Sequence, residues 1–184
     1  VRQSSRLMIL VEGALMVALS VVLNFVKIGG PWVAGGAISL KALPIVIFAL
    51  RYGLKWGLFV GFVFGTVDFI LEPYFVNPIQ FLFDYSLAYF AVGTAGVIRI
   101  SNKAGRTATF WLGGIATVIG MVFEFICHYL SGIFFYASDA PKGQPVGLYS
   151  FLYNGSYVGP SMLGVLIVVI ILASAFPNLI TRRI

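Results

Sequence analysis

The sequence predicts an all-α integral membrane protein of six transmembrane helices, with both termini in the cytoplasm and a ligand pocket facing outward, in one domain, 1–184. Three observations lead there. With 60% hydrophobic and only 10% charged residues, the chain cannot cover itself with a water-facing surface, so the bilayer is its solvent. A helical span takes about 20 mostly apolar residues, which lets 184 residues with short connections hold six spans and leaves nothing for a separate soluble domain. Finally, the basic residues alternate by loop: nine of the twelve Lys and Arg fall on one side of a six-span arrangement.

Arg2 and Arg6 precede the first span, 7–26, in the manner of a signal peptide. That span exceeds a secretory h-region in length and has no small-x-small cleavage site, so it reads as a retained helix. The second, 38–50, is short and contains Pro44. Lys41 near its start can snorkel to an interface, and the glycine-rich stretch ahead of it suits a re-entrant or lid segment. In the third, 56–71, Gly57, Gly61 and Gly65 recur one turn apart, a spacing that admits a close neighbour and reads as internal packing. Spans four to six cover 78–98, 107–136 and 149–176. The single cysteine, Cys127, lies within span five with no second cysteine for a disulfide, and reads as a small buried apolar side chain.

Orientation follows from charge. Arg2, Arg6, Arg51, Lys55, Arg99, Lys103, Arg106, Arg182 and Arg183 share one side, which the positive-inside rule makes cytoplasmic. The opposite loops, 27–37, 72–77 and 137–148, carry only Lys27 and Lys142. Topology thus accounts for the net charge of +6, and no basic cluster on a soluble face remains to suggest nucleic acid.

Four of the six carboxylates, Glu12, Asp68, Asp84 and Glu124, lie inside the spans. Each costs about 2.5–3.5 kcal/mol near the bilayer centre, so such groups turn towards a protein interior or a wet cavity. Span four enters from outside, which places Asp84 roughly 9 Å below the outer surface at 1.5 Å per residue. His128 near the outer end of span five, and Tyr149 and Asn154 in the first turns of span six, reach similar depths beneath a rim holding Trp32, Tyr74 and Tyr136. Glu12 falls in the inner third and Glu124 near mid-membrane. Asp, His and Asn can hold a nitrogen-rich heteroaromatic edge, while Tyr74, Tyr85, Tyr136, Tyr149, Trp32 and Phe64 offer faces for a flat ring and for cation–π attraction. The pattern fits a flat, nitrogen-rich, cationic small molecule, although Tyr and Trp also form interfacial belts.

Two other classes are weighed. An ion-coupled secondary transporter of a small cationic heteroaromatic compound would use Asp68, Glu124 and His128 as a relay, the latter two at i, i+4, but no paired discontinuous-helix pattern divides the chain into halves. An intramembrane enzyme lacks H-E-x-x-H and G-x-S-x-G and has one histidine to build with.

The segments AISLKALPIVIFALRYGLKWG (37–57), PIQFLFDYSLAYF (78–90), HYLSGIFFY (128–136) and APKGQPVGLYSFLYNGSYVGPS (140–161) resemble the thiamine-specific S-component of energy-coupling factor (ECF) vitamin transporters. The last segment is the most specific. The resemblance implies a six-helix, multi-pass protein of a bacterial cell membrane that captures thiamine from outside with high affinity and is not an enzyme, with no cofactor and no metal. It implies ligand contacts at Asp84 and Tyr85, His128 and Tyr136, Tyr149 and Asn154, with Tyr74, Gly132, Trp32 and Phe64 beside them. Where members carry Glu and Trp, this chain has Asp84 and Tyr136, a shorter acid and a smaller ring. The implied partner is an energising module of one transmembrane scaffold and two cytosolic ATPases, docked on Ala14 and Ala18. Small residues four apart allow that approach, and equally allow packing within the chain. ATP is hydrolysed elsewhere, since no G-x-x-x-x-G-K-S/T loop is present.

Overall fold

The computed structural model describes residues 2–33 and 35–181, with side chains from Arg6 onward. Arg182, Arg183 and the side chain of Arg2, three of the basic groups used for orientation, lie outside the described residues. Seven α-helices follow in order: α1 Arg2–Phe25, α2 Leu43–Tyr52, α3 Leu54–Leu71, α4 Pro78–Phe81, α5 Leu87–Val92, α6 Arg106–Phe135 and α7 Val146–Ala175. A π-helical turn, Leu82–Ser86, joins α4 to α5, and a 3-10 turn, Gly93–Val97, prolongs α5, so 78–97 is one continuous helical run. Among the described residues there is no β-strand, only an isolated antiparallel bridge between Ile28 and Ile38.

Among the described residues, four helices are long and apolar enough to cross a membrane: Arg6–Phe25 of α1, then α3, α6 and α7, with α2 a shorter apolar helix. At 1.5 Å per residue, the 30-residue α6 and α7 each reach about 45 Å. On α7, Leu163, Ile167 and Ile171 are each more than half exposed while Val165, Val169 and Ala173 are wholly buried. Apolar side chains on both the inner and the outer face are what a helix needs when lipid is its surroundings.

The short α2 lies at the centre. Ile45, Val46, Phe48 and Ala49 are fully enclosed, and Pro44 sits in the first turn, where the N–H it lacks has no helical partner to lose. Gly53 alone separates α2 from α3, with φ +85°, a left-handed backbone that glycine adopts without strain. The glycine ridge of α3 faces the 78–97 run. A Cβ on Gly57 would come within 2.8 Å of the Gly93 carbonyl oxygen, and Cβ atoms on Gly61 and Gly65 would each come within 2.7 Å of the carbonyl carbons of Tyr89 and Tyr85. This is the internal packing that the spacing predicts.

Away from the loops 26–42, 72–77 and 136–145, the bundle end carries a buried ion pair. Arg51 Nη2 lies 2.7 Å from Glu12 Oε1, and Tyr52 donates to Glu12 Oε2 at 2.5 Å. Arg51 also donates to the Leu179 carbonyl at 3.2 Å. Arg51 is therefore not a loop charge facing water, as its place in the sequence suggests; it belongs to the last turn of α2 and is 5% exposed. Glu12 faces α2, while Ala14 and Ala18 on the same helix are exposed.

Candidate ligand-binding cavity

A cavity of about 440 Å³ occupies the opposite half of the bundle, walled by the end of α1, the segment before α2, the end of α3, the run from Gln80 to Tyr89, the second half of α6 and the first half of α7. Each wall has a local cause.

The π-helical turn carries Asp84 and Tyr85. An extra residue in a helical turn swings side chains out of the usual i, i+4 rows, and such bulges concentrate at functional sites. Asp84 Oδ2 accepts from Gln80 Nε2 at 2.7 Å and from Tyr136 OH at 3.3 Å, and its Oδ1 lies 3.5 Å from His128 Nδ1. Tyr85 braces the rim instead: its hydroxyl donates to the Glu72 carbonyl at 3.0 Å and accepts from the Tyr74 amide at 3.0 Å. Gln80 ties the same loop, accepting from the Val76 amide at 3.0 Å. Tyr74 and Tyr136 stack with ring centroids 6.4 Å apart.

Across the α6–α7 seam, Asn154 Nδ2 donates to the His128 carbonyl at 3.2 Å and to the Ser150 carbonyl at 2.9 Å, and its Oδ1 accepts from Tyr157 OH at 2.6 Å. Gly132 makes this possible, since a Cβ there would overlap the Ser150 hydroxyl and come 3.1 Å from Asn154 Nδ2. Tyr149 lines the cavity with its ring 5.6 Å from that of Tyr153.

The third wall carries an ionic ladder. Lys41 Nζ is 3.0 Å from Asp68 Oδ2 and 5.0 Å from the centre of the Tyr89 ring, so it points inward and is not snorkelled to an interface. Asn24 Nδ2 donates to both Asp68 Oδ1 and Glu72 Oε2, each at 2.9 Å, and Lys27 pairs with Glu72. Lys27, through its hydrogen bond, holds the Glu72 carboxyl below its ordinary value, against a smaller opposing effect of burial.

The glycine-rich segment before α2 doubles back through paired bonds between Ile28 and Ile38 and turns at Gly35 and Gly36, φ +89° and +125°. Tyr153 OH donates to the Gly35 carbonyl at 2.9 Å, and Trp32 Nε1 donates to Ser156 at 2.7 Å. Gly35, Gly36 and Ala37 line the cavity.

Of the residues expected to contact a ligand, Asp84, Tyr85, His128, Gly132, Tyr136, Tyr149, Asn154 and Tyr74 line the cavity. Trp32 is not among the lining residues and packs its ring edge against Tyr157 at 5.7 Å. Phe64 is fully buried behind the wall, 4.8 Å from the Tyr89 ring. Sequence reasoning missed Asn24, Lys41, Gln80, Tyr89, Tyr153 and Tyr157 as lining residues, and left Glu124 at mid-membrane without a place in the pocket, although it lines the cavity too. Helical spacing could have found several: Gln80 precedes Asp84 by four, Tyr153 follows Tyr149 by four and Tyr157 follows Asn154 by three.

The arrangement defines a helical membrane protein with an acidic, aromatic, solute-sized cavity at one end. The chain matches the family described as Thiamine transporter protein (Thia_YuaJ) over residues 10–181. It is 34% identical over 187 residues to the thiamine transporter ThiT of Bacillus subtilis (strain 168), covering 97% of this chain and 96% of that protein. To the ThiT of Lacticaseibacillus paracasei it is 29% identical over 197 residues, covering 99% and 94%. Its fold superposes on a solved structure of ThiT from Listeria monocytogenes with a TM-score of 0.84 at 27% identity, covering 96% of this chain and 99% of that one. The chain belongs to the thiamine transporter protein family.

Proposed function

We propose that this chain is the high-affinity thiamine-binding subunit of an ECF-type transporter in a bacterial cell membrane, capturing thiamine from outside and passing it inward with an ATP-driven partner module. The observation that carries the reading is the Asp84–His128 pair, with Gln80 and Tyr136 on Asp84, set in the tyrosine-lined cavity of a family whose curated members are named thiamine transporters. Asp84 and His128 take the polar edge of the aminopyrimidine. Asn154 holds the His128 carbonyl and thereby the wall that edge meets, while Tyr85, Tyr136 and Tyr149 offer ring faces, with Tyr74 behind Tyr136. Mass measurement of the small molecule retained by purified protein tests this, with thiamine expected and an unrelated compound contradicting it.

The same reading includes six passes with both termini inside. Arg6, Lys55, Arg99, Lys103 and Arg106 belong to the end of the bundle away from the cavity, so the positive-inside rule turns the cavity outward. Cysteines placed at Ser101 and at Ala140 should react from outside intact cells only at position 140; labelling at 101 would overturn the orientation. Docking is assigned to the exposed pair Ala14 and Ala18, because small residues let a partner helix approach. Changing both to Trp should leave thiamine affinity in detergent intact and stop uptake in cells; unimpaired uptake would contradict the assignment.

A further inference from the structure

Three of the cavity's acids are already answered. Glu72 pairs with Lys27, Asp68 pairs with Lys41, and Asp84 takes two donors and faces His128. Glu124 is different. It is 6% exposed, lines the cavity, and its Oε2 has no hydrogen-bond partner among the described residues. Its Oε1 stands 3.9 Å from His128 Nε2, beyond hydrogen-bond reach. The cation that could neutralise it from the next wall, Lys41, is held by Asp68. A second buried acceptor without a partner among the described residues, Oδ1, belongs to Asn24, which lines the same cavity from α1. A buried carboxylate left in this condition is costly unless something positive reaches it.

We infer that Glu124 is the residue that reads the cargo's fixed positive charge, its buried, unpartnered oxygen lying at the wall of the cavity into which a cationic ring enters. This deepens the thiamine reading and rests on it. The labour is divided across His128: the wall from Asp84 to Asn154 meets the neutral, hydrogen-bonding heterocycle, and the Glu124 side meets the thiazolium. That ring cannot lose its charge by releasing a proton, so its preference for this cavity over that of a neutral ring of the same shape is set by the facing carboxylate.

The test compares thiamine with its uncharged isostere, in which a thiophene ring replaces the thiazolium, by calorimetry or competition on the purified full chain. The wild type should prefer thiamine. In Glu124→Gln the ratio of the two affinities should fall about tenfold or more, as Coulomb's law gives at an effective dielectric constant of about 20, with binding of the neutral isostere little changed. Glu124→Asp, which keeps the charge, should retain most of the ratio and guards against a fold defect in the Gln variant. Equal loss for both ligands in Glu124→Gln would mean a structural role and overturn the inference, as would an unchanged ratio or a wild type that binds the two alike. A wild type that binds neither compound would instead remove the thiamine reading beneath it.

Discussion

At the end of the bundle away from the cavity, both oxygens of Glu12 are engaged, one by Arg51 and one by Tyr52. At the cavity wall, Glu124 keeps one oxygen with no hydrogen-bond partner among the described residues, and Asp84 Oδ1 meets His128 only at 3.5 Å. Both regions place acids in an apolar bundle, yet one is closed upon itself and the other is left unfinished. A carboxylate matched on both oxygens holds helices together. One left partly unmatched beside a cavity is completed by what enters. In a membrane protein the presence of an intramembrane acid therefore says less than the saturation of its acceptors.

That contrast is easiest to break at the closed end. Arg51→Ala removes the buried cation that pairs with Glu12 and donates to the Leu179 carbonyl, and should cost about 3–5 kcal/mol of stability, as breaking a buried ion pair from one side does. Replacing both, Glu12→Leu with Arg51→Met, should recover most of the loss. Thermal unfolding in detergent reads both. If the single change weakened thiamine binding in folded protein as much as a cavity substitution does, the two ends would not be separate in function.

Within the cavity the expected effect is on affinity. Asp84→Asn should weaken thiamine binding about 30-fold or more, the loss that follows when a desolvated, hydrogen-bonded charge is removed. Asn154→Ala removes the brace between the His128 carbonyl and α7. It also strands the Tyr157 hydroxyl, which loses its acceptor, and should cost about 1–3 kcal/mol of stability, with affinity falling roughly tenfold as the wall loosens. Affinity unchanged in both variants would leave the cavity without its proposed role.

The smallest effect belongs to the ladder at the foot of the covering segment. Because Lys27 holds the Glu72 carboxyl below its ordinary value of 4.5, the tie is complete above that value and is lost as pH falls through the lowered one. The pair is half exposed, so the effect is slight. Protection of the Ile28 and Ile38 amides from hydrogen exchange should decline modestly in that acid range, and the decline should vanish in Glu72→Gln. A decline of the same size in that variant would mean another group titrates.

Much of this was legible in the sequence. The long apolar helices, their ends within a few residues, and the internal packing of the α3 glycine ridge follow from hydropathy and spacing; that its partner is 85–93 does not. So does the convergence of Asp84, His128, Tyr149 and Asn154, because a straight helix converts residue number into depth. Direction within the layer was less legible. Lys41 lies near the start of an apolar segment, where snorkelling and burial look alike; the presence of Asp68, 27 residues away, decides between them. Glu124 was at a readable depth, but the cavity is deeper than its rim suggests. Arg51 looked like a loop charge because the single-residue turn at Gly53 hides how close the helix end comes to Glu12. Each of these depends on a partner distant in sequence, which periodicity along one helix does not register.

The most direct measurement is calorimetric titration of thiamine into purified wild type, Asp84→Asn and Arg51→Ala, with the folded fraction of each fixed beforehand. The account predicts one thiamine per chain, an affinity nearly unchanged in the folded fraction of Arg51→Ala, and a loss of about 30-fold or more in Asp84→Asn. Undiminished binding in Asp84→Asn, or an equal loss in both variants, would contradict it.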